Sequence, residues 1–162
     1  MNNKNLNHLI SIYKKELGKG EIQEAYSELI KYMQNLKTSF SKDMGKEISF
    51  GNVFPGYMDY TYFYISNDYL KSKKLKMGLV LNHKEMNFEI WLFGQTKDIQ
   101  EKYWNLFKGS KWVKGTEIPE YSIFEVVLVS DPEFNDLGKL SEEIKCKFNS
   151  VYDEIVSSLK SL

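Results

Sequence analysis

The residue types in this chain that could do chemistry are concentrated between Tyr57 and Gln95, where carboxylates stand among aromatic and apolar residues. Glu89 and Trp91 share one face of a β-type run, because side chains in a strand alternate with a period of two. An acid beside an indole ring suits a small cationic or aromatic ligand, which the electron-rich face of the ring attracts. The sequence therefore predicts a candidate ligand pocket formed by Asp59, Lys76, Gly78, Glu89 and Trp91.

The runs LKMGLVLN and MNFEIWLFG predict a β-hairpin that would position most of this pocket. With a turn over residues 82–85, alternation places apolar pairs such as Leu81 and Met86 on one face. We expect that face to be the most buried unit of the chain. Glu89 should have open space beside it, because the same register puts a glycine opposite its carboxylate. The pairs on this second face are Val80 with Asn87, Gly78 with Glu89, and Lys76 with Trp91.

A third β-type run, YMDYTYFYI, spans Tyr57 to Ile65 and is dense in aromatic residues. Its two faces carry different candidates for the pocket wall. One face presents Tyr60, Tyr62 and Tyr64, and the other presents Tyr57 and Asp59. Which of them lines the pocket depends on the order of the strands in the sheet.

Glu89 also has an interpretation that involves no ligand. A carboxylate on a half-exposed sheet face is commonly held by a neighbouring cation or hydroxyl. Lys76, or a hydroxyl group of the tyrosine-rich strand, would play that part here. Ordinary packing likewise explains aromatic residues at strand spacing, which suit a half-buried pleated surface.

A metal-dependent enzyme is the alternative function. The order helix, antiparallel strands, helix, strand resembles the core of the restriction-endonuclease-like nucleases, in which acids on neighbouring strands bind a divalent metal and activate water. Asp59 and Glu89 would be those acids. The expected acid-x-Lys tripeptide is Glu89-Ile90-Trp91, however, so a lysine would have to come from Lys76.

Other catalytic and metal-binding patterns are missing from the sequence. His8 and His83 have no acid or cysteine at ligand spacing, and no phosphate-binding glycine loop follows a strand. Cys146 falls on the polar side of a helix and lacks activating neighbours. We therefore expect no catalytic residue, no bound metal and no cofactor, and we predict a binding module rather than an enzyme.

Charge and hydropathy limit the binding partners and the cellular compartment that we expect for this chain. Formal net charge is zero, and all 22 basic residues are lysine. Without arginine, bidentate readout of guanine edges is missing, so no sequence-specific nucleic-acid binding is expected. The lone cysteine, the absence of a leader pattern and the short apolar runs predict a soluble cytoplasmic protein that does not enter a membrane.

Helical periodicity predicts two helices, over 6–17 and 22–40, that form a hairpin against the sheet. A weak strand over 48–54 precedes the tyrosine-rich run, and a helix capped by Thr96 follows the β-hairpin. The run SIFEVVLVS is apolar on both faces, which is typical of a strand inside a sheet. Asp131-Pro132-Glu133 is typical of a helix start, with proline in the first turn.

This order of elements, ααββββαβα, predicts one α+β domain over residues 1–162, with a mostly antiparallel or mixed sheet of about five strands. The N-terminal helical hairpin and the C-terminal helix would pack on that sheet, and a helix would lie between strands. The C-terminal helix would turn its apolar stripe, which starts at Leu137, toward the core.

Four strings, GEIQEAYSELIKYM, FPGYMDYTYF, LVLNHKEMNFEIWLFGQ and EKYWNLFKGS, together resemble an uncharacterised family of small bacterial, clostridial-type proteins, a domain of unknown function. GYMDYTYF and FEIWLFGQ are the most specific parts, and the resemblance covers nearly the whole chain. It implies a cytoplasmic stand-alone domain. It implies no activity, cofactor or catalytic residue, and the partner stays open.

Overall fold

A computed structural model describes residues 5–162, so the first four residues of the predicted domain lie outside the described part. Within that part the chain has an α+β fold with five helices and one antiparallel sheet of five strands in the order β1-β2-β3-β4-β5. The elements are α1 (Leu6–Leu17), α2 (Glu21–Asp43), β1 (Ser49–Phe50), β2 (Tyr60–Ser66), α3 (Asp68–Ser72), β3 (Leu75–Asn82), β4 (Asn87–Gly94), α4 (Lys97–Phe107), β5 (Phe124–Val129) and α5 (Leu137–Lys160).

The main core lies between one face of the sheet and the helices α2, α4 and α5; we call this the helix-covered face. Side chains that alternate along β2, β3 and β4 point into it and are fully buried, including Phe63, Leu79 and Phe88. Phe40 of α2 contacts both Phe63 and Phe148 of α5 in edge-to-face pairs. The predicted burial of the apolar hairpin face is confirmed except at Met86, which lies in the loop and is only partly buried.

The predicted register of the hairpin is wrong by two positions. Each β3 residue has its partner two positions later in β4 than expected, so that Val80 lies opposite Glu89 and Gly78 lies opposite Trp91. The loop takes residues 83–86 because Met86 adopts a φ of 48° and the Asn82 side chain accepts a hydrogen bond from the Glu85 N–H. A shift of two positions leaves both faces unchanged.

The sheet also differs from the prediction at both edges. The apolar run around Val127 forms the edge strand β5 rather than an interior strand, and Val127 is 51% exposed. The run is apolar because its alternate residues enter the core, while Val127 remains on the other face. At the opposite edge the predicted strand 48–54 shortens to β1, followed by an isolated bridge at Phe54, where Pro55 cannot donate to a ladder. The sheet is wholly antiparallel, not mixed.

Helix boundaries and packing differ in three places. The last helix begins at Leu137 instead of Pro132, because the Asp136 side chain caps it by accepting from the Lys139 N–H. Leu137 itself is exposed rather than in the core. The short helix α3 was not predicted, and α1 has no buried residue, so α1 does not back the sheet as expected. In the part of the chain that the structure covers, no helix combines the length and apolarity needed to cross a bilayer.

Candidate functional site

The second face of the sheet carries the predicted pocket residues of β3 and β4; we call it the aromatic face. Register places the tyrosines of β2, and not Tyr57 and Asp59, on this face, since Tyr62 lies opposite Val80. An antiparallel sheet commonly turns polar side chains toward water on its uncovered face. Here that face holds a second hydrophobic cluster, to which no helical residue belongs: Val80, Trp91, Phe93, Tyr60, Tyr62 and Tyr64.

Six rings form one continuous row across the aromatic face. It starts at Phe54, which stacks on Tyr62 with ring centres 5.2 Å apart, and it ends where Tyr60 meets Trp91 edge-to-face at 4.9 Å. Trp91 and Phe93 in this row are buried, the three β2 tyrosines are partly buried, and Phe54 is exposed. The links between these ends are Tyr62–Tyr64, Tyr64–Phe93 and Phe93–Trp91.

Glu89 ends the row as a buried carboxylate, with only 5% of its surface exposed. The Trp91 indole N–H donates to Glu89 Oε2 at 2.5 Å, and the Asn82 amide donates to Oε1 at 3.3 Å. The predicted partners, Lys76 or a tyrosine hydroxyl, are therefore wrong. Glu89 takes part in none of the salt bridges found among residues 5–162. A buried carboxylate without a cation beside it is an uncommon arrangement, because burial disfavours charge.

A second carboxylate, Glu125 of β5, lies opposite Trp91 and faces the same side. Burial of its carboxyl group raises the pKa of Glu125; the Ser122 hydroxyl donates to Oε1 at 2.8 Å and lowers the pKa, and the charge of Glu89 raises it further. Glu125 as a whole is exposed, whereas the Ser122 residue that bonds to its carboxylate is fully buried. Two acids thus flank the indole with no basic partner.

Several acidic side chains affect the pKa of the Tyr60 phenol. Burial raises its pKa first, and then the charges of Glu125 and Glu89, followed by those of Asp59 and Glu120, raise it further. Glu120 belongs to the segment between α4 and β5, which approaches the Tyr60 end of the sheet. Carboxylates from three parts of the chain therefore raise the pKa of this one aromatic group.

Lys76 and Gly78 lie on the aromatic face, but their contacts differ from those predicted. Lys76 lies opposite Phe93, and its Nζ sits 3.5 Å from the centre of the Tyr64 ring, where burial lowers its pKa. The volume above Gly78 is not open, because a Cβ there would lie 2.9 Å from a ring carbon of Phe93. Gly78 therefore does not provide the open space that the sequence predicted beside Glu89.

Asp59 precedes β2 in an exposed turn. Its Oδ1 accepts from the backbone N–H groups of Tyr57 and Tyr60, and these two bonds hold its pKa below the usual range. Its carbonyl accepts from the His83 N–H, which ties the turn to the hairpin loop. Asp59 thus shapes the turn that delivers Tyr60 to the site.

Asn87 contributes an unpaired acceptor to the same end of the face. It is 7% exposed, and no hydrogen-bond donor reaches its Oδ1. It stands two residues before Glu89 on β4, so both side chains emerge on one side of the sheet. Most buried polar groups in proteins are hydrogen-bonded, so the Asn87 oxygen is an exception on the same strand as a carboxylate that has no salt bridge.

Sequence reasoning missed Asn82, Asn87 and Glu125. Alternation along Asn87-x-Glu89-x-Trp91 is a signal that could have found Asn87. Asn82 enters the site only through the corrected hairpin register. Glu125 had no local signal, because it is brought to Trp91 by the pairing of β4 with β5.

The architecture and the site together define a class: an α+β domain that covers one sheet face with helices and leaves an aromatic, acid-flanked face without them. The chain belongs to the family described as a domain of unknown function, DUF7000, whose model matches residues 6–159. No curated protein and no solved structure matches the chain. Among residues 5–162, no group of three or more His, Cys, Asp or Glu side chains is arranged to hold a metal ion.

Proposed function

We propose that this chain is a non-enzymatic binding module whose aromatic face accepts an organic cation between Tyr60, Trp91 and the acids Glu89 and Glu125. The observation that carries the proposal is the pair of carboxylates beside one indole without a basic partner. The chain as a whole has equal numbers of acidic and basic residues, so this local excess of negative charge is a feature of the site.

The chemistry of the site favours an ammonium-type group over a metal ion. A divalent metal needs several oxygens at about 2.0 to 2.6 Å from one point. The described acids do not form such a group, and Asp59 Oδ1 is already bonded to backbone N–H groups. An alkylammonium or guanidinium group is larger and binds over aromatic rings, and where it carries N–H groups it can donate to oxygens that are not gathered at one point. The nuclease alternative built on Asp59 and Glu89 gains no support from this arrangement.

The proposal is tested with benzyltrimethylammonium chloride as a probe and benzyl alcohol as its neutral counterpart. The chain has three tryptophans, so three indole N–H signals are expected in a nitrogen-correlated NMR spectrum. We expect the cation to shift the Trp91 signal in a saturable way, and the alcohol to leave it unchanged. Added salt should weaken binding, because the attraction is electrostatic.

Two variants sharpen the test. Glu125→Gln removes one charge and should weaken binding of the cation by about tenfold, on the order of one charged contact. Glu101→Gln on α4 is the matched control, since its side chain makes no hydrogen bond or salt bridge in the structure. If the cation shifts all three indole signals equally, or binds Glu125→Gln as tightly as the wild type, the proposal is wrong.

Three expectations from the sequence stay predictions: the single domain over residues 1–162, the bacterial, clostridial-type origin and the cytoplasmic location.

A further inference from the structure

The edge of β5 has no partner strand among the described residues. It is a six-residue strand, whereas the opposite edge, β1, is only two residues long. Open edges invite pairing with another chain, and proteins usually protect them by shortening the strand or placing charge along it. β5 keeps its length and exposes Val127. The β5 edge is therefore the place on this sheet where another strand could add.

A groove of about 660 Å³ runs beside this edge. Four consecutive residues, Phe124 to Val127, line one side of it. Side chains of a strand alternate between faces, so a depression over one face would be lined by every second residue only. Lining by consecutive residues places the groove along the backbone edge. Its far wall comes from the segment between α4 and β5 and from α5, including Trp112, Val113 and Val151.

The groove leads to the proposed cation site. Glu125 pairs with Trp91 and Val127 pairs with Glu89, so both β5 residues emerge on the aromatic face. In an added strand, the residue opposite Glu125 would have its Cβ about 4.5 to 5.5 Å away. A lysine or arginine at that position could extend over Trp91 toward Glu89. A β-branched residue two positions away would cover Val127.

A second copy of the chain does not satisfy this geometry. Residues 121–130, which contain β5, include no lysine, arginine or histidine. Pairing of β5 with itself would therefore leave Glu125 without a countercharge and would set its carboxylate against an apolar residue or another acid. Charge complementarity favours a segment of different sequence.

We infer that an extended segment of a partner protein adds to the edge of β5 as a sixth strand and presents a lysine or arginine to Glu125, Trp91 and Glu89. This inference rests on the proposed function, because the basic side chain is the cation of that site. Backbone hydrogen bonds supply affinity in strand addition, and alternate side chains supply specificity.

The probe is an acetylated and amidated hexapeptide of sequence Thr-Val-Ile-Lys-Val-Thr, measured by calorimetry and by the Trp91 indole N–H signal. Antiparallel addition would place its lysine opposite Glu125 and its first valine opposite Val127. A second peptide replaces the lysine with glutamine. A third keeps all side chains and carries N-methyl groups on alternate amides, which removes strand hydrogen bonds without changing the protein.

We expect the lysine peptide to bind and the other two to bind at least about tenfold more weakly, since each loses one type of contact. Val127→Lys, an exposed substitution that adds like charge at the edge, should weaken the lysine peptide to a similar extent. The control is Glu101→Gln, which lies away from the groove and should bind the lysine peptide as the wild type does. Val156→Lys would not serve, because Val156 packs on the core.

The outcomes separate this inference from the proposed function. If benzyltrimethylammonium shifts Trp91 but the lysine peptide binds no more tightly than its N-methylated form, strand addition is wrong and the cation site stands. If the peptide binds and N-methylation weakens it, but lysine and glutamine versions bind equally, the link to the cation site is overturned. If neither the cation nor the peptide binds, both proposals fail.

Discussion

The two faces of the sheet are both rich in apolar side chains, yet they are buried in different ways. On the helix-covered face, Phe88 and Leu79 lie under α2, α4 and α5, which shield them completely. On the aromatic face, Trp91 and Phe93 are shielded largely by neighbouring side chains of the same sheet, and Phe54 and the β2 tyrosines remain partly open. The first arrangement stabilises the fold, and the second leaves the Phe54 ring exposed and the β2 tyrosines partly exposed. The following predictions test that difference, beginning with the largest effect.

Phe88 and Phe93 offer the most direct comparison, because both belong to β4 and have the same side chain. Phe88→Ala should lower the free energy of unfolding by about 3 to 5 kcal/mol, the range for a fully buried phenylalanine. Phe93→Ala should lose roughly half as much, since the site can collapse when Tyr64 and Lys76 move inward. Urea unfolding measures both. Equal losses would mean that the aromatic face is as cohesive as the core.

Gly78→Ala probes how tightly the aromatic face is packed. The new Cβ would lie 2.9 Å from the Phe93 ring and 3.4 Å from the Phe63 carbonyl oxygen, so we expect a loss of about 1 to 3 kcal/mol from overpacking. Gly115→Ala is the matched control, because its Cβ would meet nothing within 4 Å. Phe93→Leu in the Gly78→Ala background should recover part of the loss. A neutral Gly78→Ala would show that the ring moves freely.

Glu89→Gln tests the buried carboxylate. Each carboxylate oxygen accepts one N–H, from Asn82 and Trp91, whereas the glutamine amide offers one acceptor and adds a donor. One buried donor would lose its partner, so we expect a loss of about 1 to 3 kcal/mol. Thermal or urea unfolding measures it against Glu101→Gln, which should stay within about 0.5 kcal/mol of the wild type. A stabilised Glu89→Gln protein would mean that the charge, and not the hydrogen bonding, dominates this site.

Glu125→Gln should have the smallest effect, and the size of the effect should depend on pH. The pKa of Glu125 is raised in the folded chain, so the folded state binds more protons than the unfolded state in the range above about pH 4.3, the ordinary value. Stability carried by this residue therefore falls as pH rises through that range. At neutral pH the glutamine variant should be the more stable protein, and the difference should vanish below the ordinary pKa. A variant that is less stable at neutral pH would contradict the burial of the carboxyl group.

Local patterns were enough to predict much of this molecule. Alternation assigned the residues of β3 and β4 to their correct faces, because a register error of two positions preserves the faces, and only Met86 moved into the loop. Helical spacing located α2 and α4, and Thr96 marked the start of α4 correctly. The α+β class followed from the order of these elements.

Tertiary structure decided what local patterns could not. The position of β5 at the edge of the sheet depends on how strands distant in sequence pair with one another. The apolar run of β5 is equally compatible with an interior strand. α1 has an apolar stripe, yet none of its residues is buried. A stripe predicts a helix but does not determine its burial.

The candidate site shows the same division. The chain by itself determined that Glu89, Trp91 and Lys76 share a face, since the period of a strand is a local property of the backbone. Only the folded sheet decided which groups meet Glu89: the hairpin loop set the register that brings Asn82 to it, and the pairing of β5 brought Glu125 to the other side of Trp91. The hairpin register depends on a left-handed loop residue, and the pairing of β4 with β5 depends on hydrogen bonds between residues distant in sequence. The composition of the strands alone predicts neither of these two features.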